Sequence, residues 1–374
     1  MARLKRRPSW DAGAVLVVAL ALVVPAGMVA GPPRSIGWFD APALAVPLVV
    51  LLCSVPLRAV MPPRVAALVA LLGVLVGALA PLALLAMTGR GGGALGLWPY
   101  VGGLTLLVWR AMAFLASPEQ PVVLRRGAVA ALFGLGALWF WEIVCIGFDV
   151  PRILLPPPSM VWARMAKDVA LLWGDFRLTF FEAILTGYAV GCISGFVFAV
   201  AVERRPFLAR GLLPLGSAFS AIPIVAVAPI MIMWFGFGSM SKAAVIVLMT
   251  FFPMMVNTLA GLRSVDRMEL DLMHSYGAGY WTSFFKLRLP TALPFIFNAL
   301  KINSTLAMIG AIVAEFFGTP LAGMGFRISA SIGRLQLDMV WATIAVAALS
   351  GSLFYGAVAL TERRFTFWHP SFRK

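Results

Sequence analysis

Apolar runs of about 20 residues recur along this chain, and that is the length a helix needs to cross a bilayer. Ten runs qualify: residues 12–30, 41–60, 65–87, 94–115, 127–148, 178–202, 212–235, 242–262, 291–317 and 339–361. A water-soluble globule could not hide so many. Hydrophobic residues make up 61% of the 374 and charged residues 12%, against about 45–50% and about 25% in soluble domains. The expected class is an all-α polytopic membrane protein with about ten transmembrane helices. The first run follows a basic stretch, residues 3–7, as in a signal peptide; its length and the runs behind it make it an uncleaved first span.

The formal charge is +15, from 30 Lys+Arg against 15 Asp+Glu. On a soluble chain this would point to nucleic acid. Here the basic residues lie between apolar runs, where they set topology. With the N-terminus in the cytoplasm, 20 fall inside and nine outside, with Lys301 within a span. An even number of spans returns the C-terminus to the cytoplasm. No nucleic-acid surface is expected.

Three cysteines (Cys53, Cys145, Cys192) lie in or beside apolar runs, and the two histidines, His274 and His369, stand apart. No metal site is expected from so sparse a set, and no paired acids or Ser/His arrangement suggests catalysis. The SPEQP run at 117–121 reads as a linker. It divides a four-helix N-terminal membrane extension, residues 1–120, from a six-helix part, residues 121–374, whose spans carry polar residues.

Two connections are long. Residues 149–177 lie outside; the PRILLPPPS run cannot be helical throughout. From Ser159 an amphipathic stretch puts Val161, Met165, Val169 and Leu172 near one face, and it is expected to rest on the membrane surface. Residues 263–290 lie inside. Residues 266–276 suit a helix, Gly277 and Gly279 break it, and residues 280–287 suit a second helix before Pro290 and Pro294. Such a helix–glycine–helix element looks like a docking site for a soluble partner, with Phe284, Phe285 and Leu287 as anchors on its membrane side.

This loop resembles the EAA loop of ABC-transporter permeases: Glu-Ala-Ala, three residues, Gly, nine residues, Ile, one residue, Leu-Pro. Asp271, Leu272 and Met273, then Gly277, Leu287, Leu289 and Pro290 keep that spacing, although Asp-Leu-Met replaces the triplet. IPIVAVAPIMIMWFGFGSMSK (222–242), FFPMMVNTLAGLRSVD (251–266), LKINSTLAMIGAIVAEFFG (300–318) and FTFWHPSFR (365–373) resemble the nitrate, sulfonate, taurine and thiamine-precursor pyrimidine branch. The likeness covers about residues 132–373. It implies a type I importer core of six helices in the bacterial inner membrane, the first four helices being extra. It implies a second permease copy, two cytoplasmic ABC ATPases docked on the loop, and an external solute-binding protein. The chain holds no GxxxxGK[ST] phosphate cradle. It is therefore expected to be no enzyme and to carry no cofactor, ATP and magnesium being held by the ATPases.

Polar residues inside spans are costly in lipid and mark pathways or internal ties. Candidates are Glu142, Glu182, Lys301, Asn303, Ser304 and Glu315, with Pro229 beside a candidate path. Lys301 and Glu315 are about 21 Å apart along one helix, too far to pair. Lys301 attracts an anion or snorkels toward the cytoplasm; Asn303 bonds solute or a neighbouring helix; Glu315 gates or hydrogen-bonds at the outer mouth, or is a plain helix-end acid. Gly187, Gly191 and Gly195, spaced by four, permit close helix packing. Met231, Met233, Met254 and Met255 line an adaptable path or face lipid, and His274 belongs to the docking surface. The competing function is an ion-coupled carrier using Glu142, Glu182 and Glu315.

Overall fold

Apolar helices dominate because every backbone N–H and C=O in lipid must be satisfied within its own segment. The computed structural model describes residues 18, 27–28, 35–60, 63–89, 96–116, 127–205, 207–208, 210–211, 223–318 and 322–368. They fall in two compact units, Met1–Met160 and Val161–Lys374.

The first unit holds a two-residue antiparallel ladder, β1 (Gly27–Met28) and β2 (Ser35–Ile36). Five helices follow: α1 (Pro42–Val60), α2 (Pro63–Gly77), α3 (Leu79–Thr88), α4 (Leu97–Leu115) and α5 (Val129–Gly147). Leu44, Leu48, Leu84, Tyr100, Leu104 and Ile143 make its core. The run expected at 65–87 is broken at Ala78. Two side chains satisfy carbonyls there: Tyr100 donates to Gly77 O at 2.9 Å and Trp139 Nε1 to Ala78 O at 2.8 Å. Helix α6 (Pro158–Lys167) crosses the division between the units. At its start Glu142 accepts from Ser159 N at 2.9 Å and from Ser159 Oγ at 2.5 Å. A carboxylate at a helix N-terminus is stabilising.

The second unit contains α7 (Val169–Arg177), a π-helical turn (Leu178–Ile184), α8 (Leu185–Arg204), α9 (Ile224–Phe235), α10 (Ser239–Leu262), α11 (Arg267–Ser275), α12 (Tyr280–Ser283), a second π turn (Phe284–Arg288), α13 (Leu289–Gly318), α14 (Met324–Gly333) and α15 (Leu337–Phe365). Helix α10 sits at the centre and packs on α8 and α13. The second π turn joins α12 to α13 without a break. Pro290 thus lies within a continuous helical path, its missing donor absorbed by the wider turn before it. Leu349, Leu353 and Leu360 on α15 remain exposed, as a lipid-facing stripe would be.

Six of these helical stretches are long and apolar enough to cross a membrane: Leu71–Thr88, Val129–Gly147, Val169–Arg204, Ser239–Arg263, Tyr280–Phe317 and Leu337–Phe365. The described part of the run expected at 212–235 is the shorter helix α9, with 212–222 outside the described residues. The run at 12–30 and the linker at 117–120 lie almost wholly outside them too. The apolar face of the 159–172 stretch is covered in part within the protein: Val161 and Leu172 are buried against Met339 and Ala342 of α15, while Val169 remains exposed. Arg164 ties the same corner, 2.9 Å from Asp168 and 3.7 Å from Asp338.

Candidate functional site

At one end of the second unit, charge is buried. Glu315 of α13 is 1% exposed, and Asp175 of α7 is 2% exposed. The Glu315 carboxylate accepts from Lys242 Nζ at 3.1 Å, Gly325 N at 2.9 Å and the Thr179 hydroxyl at 2.9 Å. Thr179 Oγ1 in turn accepts from Met324 N at 2.9 Å. Asp175 accepts from Gly323 N at 2.9 Å and from Arg327 Nε at 2.6 Å. Four elements (α7 with its π turn, α10, α13 and the start of α14) are thereby pinned at one junction. Gly323, at φ +123°, and Gly325 have no room for a side chain: a Cβ at either would come within 2.7 Å of Glu315 or closer. Two acids meet two cations, so the junction carries its charges as pairs, the condition for burying them.

Of the readings open for Glu315, these contacts agree with hydrogen bonding near the helix end and not with a plain helix-end acid: it is an enclosed tie. As the 21 Å spacing required, Lys301 does not reach it; Lys301 Nζ lies 2.7 Å from Glu362 of α15. Asn303 follows the second of its two readings, a bond to neighbouring helices. It is fully buried and donates to Thr250 O at 2.8 Å and Cys192 Sγ at 3.2 Å, while its Oδ1 has no partner among the described residues. The Ser304 hydroxyl bonds Lys301 O at 2.7 Å. Met254 and Met255 belong to core clusters, and neither lines a path nor faces lipid. Met233 is exposed on α9, and Met231 packs by Ala228.

The glycine stripe of α8 faces α10. A Cβ at Gly187 would lie 2.6 Å from Ile246, one at Gly191 2.0 Å from Thr250 Oγ1, and one at Gly195 2.6 Å from Phe251 O. Only hydrogen at these positions lets the two backbones approach.

At the other end lies the 263–290 loop. Asp266 caps α11 by accepting from Met268 N at 3.0 Å. None of the nine residues of α11 is buried. Met268, Leu272 and Tyr276, spaced by four and so on one face, are 77%, 57% and 82% exposed. Asp271 and His274 are exposed and Met273 is half-buried. Gly277 closes the helix at φ +71°, the left-handed region that favours glycine. Beyond it the chain is clamped to the end of α8. Glu203 accepts from Tyr280 OH at 2.6 Å and pairs with Arg288; Arg204 stacks 4.3 Å over the Tyr280 ring and 4.8 Å over Trp281. Phe284 is buried in the core with Leu262 and Ala292, while Phe285 is exposed, and Leu287, Leu289 and Pro290 are half-buried.

Glu182 differs from the other intramembrane acids. Its side chain is exposed and its carboxylate has no bonding partner among the described residues. It edges a cavity of about 670 Å³ between the first π turn, α8, α9 and α10. Pro229 is exposed within α9 and does not line that cavity.

Residues 187–367 match the family described as binding-protein-dependent transport system inner membrane component. The chain is 32% identical over 236 residues to the riboflavin transport system permease protein of Chloroflexus aurantiacus, covering 63% of this chain and 87% of that one. It is 32% identical to the formylaminopyrimidine transport permease protein of Halalkalibacterium halodurans (63% and 94% covered) and 30% identical to the taurine transport system permease protein of Escherichia coli (67% and 91% covered). The chain belongs to the inner-membrane permeases of ABC importers. The permease is accordingly a multi-pass inner-membrane protein that serves small-solute import and works with ABC ATPase and binding-protein partners. Sequence reasoning passed over Asp175, Thr179, Glu203, Lys242, Tyr280 and Arg327. A charge inside an apolar run was the available signal for Lys242.

Proposed function

We propose that this permease forms the solute pathway as a homodimer, and that residues 263–290 are its EAA-type coupling loop. Both termini face the cytoplasm, the ATPases dock on the loop, and the binding protein delivers solute from outside. Residues 121–374 make up the transporting core, and residues 1–120 are an extension. The observation that carries the reading is α11, an amphipathic helix none of whose residues is fully buried within its own unit, with Gly277 turning the chain at its end. An apolar stripe that stays bare is a protein-binding surface in waiting.

The clamp supplies transmission. A push on α11 passes through Tyr280 and Arg288 to Glu203 and Arg204, hence to α8, and from α8 through the glycine contacts to α10. An ATPase that moves the loop therefore moves helices and does not merely bend a tether. The solute is of the kind named for the relatives, a taurine- or sulfonate-like anion or a pyrimidine vitamin precursor. An ion-coupled carrier fits less well, since Glu142 and Glu315 already have hydrogen-bond partners, and of the three acids Glu182 alone has no carboxylate partner among the described residues.

Co-purification of the tagged chain with the ATPase encoded beside it tests the reading, with Gly277→Val as the variant. A β-branched residue is strained at positive φ, so the expected result is loss of the complex while the permease itself stays monodisperse. A complex indifferent to Gly277→Val would remove the loop from the coupling role, and failure of the wild-type chain to hold any ATPase would favour the carrier.

A further inference from the structure

We infer that the cavity beside Glu182 is a solute station of the pathway, and that it takes a flat ring carrying an N–H donor in preference to a small anion. The inference rests on the importer reading and adds the chemical class of the solute. The walls are largely apolar and include four aromatic side chains, Trp234 and Phe235 of α9 and Phe251 and Phe252 of α10, while Glu182 of the first π turn and Thr186 of α8 are among the few polar groups. At about 670 Å³ the space is within the range of small-molecule sites, which run from about 300 to 1,000 Å³ with mostly apolar walls and a few polar groups.

Glu182 decides what the site is for. It sits within the Val169–Arg204 stretch, long and apolar enough to cross a membrane, and no side chain among the described residues neutralises it. A free carboxylate facing hydrocarbon is too costly to keep. Beside a cavity it can face water or a solute instead. Lys242, one residue before the lining Ala243, is no counter-ion for it, because its ammonium is held 3.1 Å from Glu315. No Lys, Arg or His is among the lining residues. A sulfonate entering here would meet a like charge and no cation. A ring nitrogen bearing a proton, neutral or cationic, would meet an acceptor, and its faces would meet aromatic side chains.

The test uses the full-length permease in nanodiscs, complexed with its ATPases, and three radiolabelled probes: riboflavin, formylaminopyrimidine and ethanesulfonate. Equilibrium binding is measured for the wild type, Glu182→Gln, Glu182→Lys and Trp234→Leu. Expected are binding of at least one ring probe and none of ethanesulfonate, a loss of ring affinity of about tenfold or more in Glu182→Gln, consistent with losing a hydrogen bond to a charged group, and a smaller loss in Trp234→Leu. Glu182→Lys should abolish ring binding and admit ethanesulfonate. Ethanesulfonate binding to the wild type, ring binding untouched by Glu182→Gln, or no binding of any probe would each overturn the inference. ATP hydrolysis by the same complexes separates this from the importer reading. A complex that assembles and hydrolyses ATP but fails the binding test sinks only the ring site; one that never assembles sinks the importer reading beneath it.

Discussion

The two ends of the second unit follow opposite rules. At one end, Asp175, Lys242 and Glu315 are buried and Arg327 is largely so, joined into a closed set of pairs. At the other, Met268, Leu272 and Tyr276 stand in the open. Charges belong outside and apolar groups inside, so both ends depart from the usual arrangement, for different reasons. The buried pairs are complete and specify how four elements meet. The bare apolar face is incomplete and calls for a partner. Polarity in the wrong place is a tie when it is satisfied and an interface when it is not.

That contrast can be broken experimentally. The largest effect is expected from Glu315→Ala, which strands Lys242 without its partner and should cost about 3–5 kcal/mol, as removal of one member of a buried pair does. Thermal unfolding in nanodiscs measures it. Replacing both members, as in Lys242→Met with Glu315→Leu, should recover most of the loss; a double variant as weak as the single would mean the junction is held by Thr179 and Gly325 and not by charge. Gly191→Val comes next. It drives a side chain into Thr250 and should cost about 1–3 kcal/mol through overpacking, read in the same assay. Glu203→Gln should cost about 1–2 kcal/mol, since it weakens hydrogen bonds to a charged group. Its sharper readout is the ratio of ATP hydrolysed to solute moved, which should rise as the clamp slackens. Leu272→Asp should change stability least, by under about 0.5 kcal/mol at an exposed site, and yet prevent co-purification with the ATPase. A large loss of stability in Leu272→Asp would show that the bare face is packed within the permease after all.

Much of the helical layout was legible in advance. The runs at 242–262, 291–317 and 339–361 lie within α10, α13 and α15, because a bilayer imposes one length and one composition on whatever crosses it. The helix–glycine–helix order of 263–290 was legible as well, since Asp266, Gly277 and Gly279 act on their own neighbours. The amphipathic 159–172 stretch was legible only in part: an apolar face asks for cover and does not say how much of it α15 provides. Glu142, Glu182 and Glu315 looked alike as acids in apolar runs, and the structure makes them a helix cap, a cavity-side carboxylate unpaired among the described residues, and a buried tie.

The sequence by itself determined what depends on near neighbours: where chain can be helical, where glycine must turn it, and which residues share a face at a spacing of four. Tertiary structure decided who meets whom. Lys242 and Glu315 are 73 residues apart, and Thr179 and Glu315 are 136 apart. Periodicity places each of them on a side of its own helix, but their meeting depends on the depth and rotation at which α10, α13 and the first π turn pack. The close approach of α8 and α10 over the glycines and the packing of α10 on α13 are properties of paired surfaces that no single strip of sequence states alone.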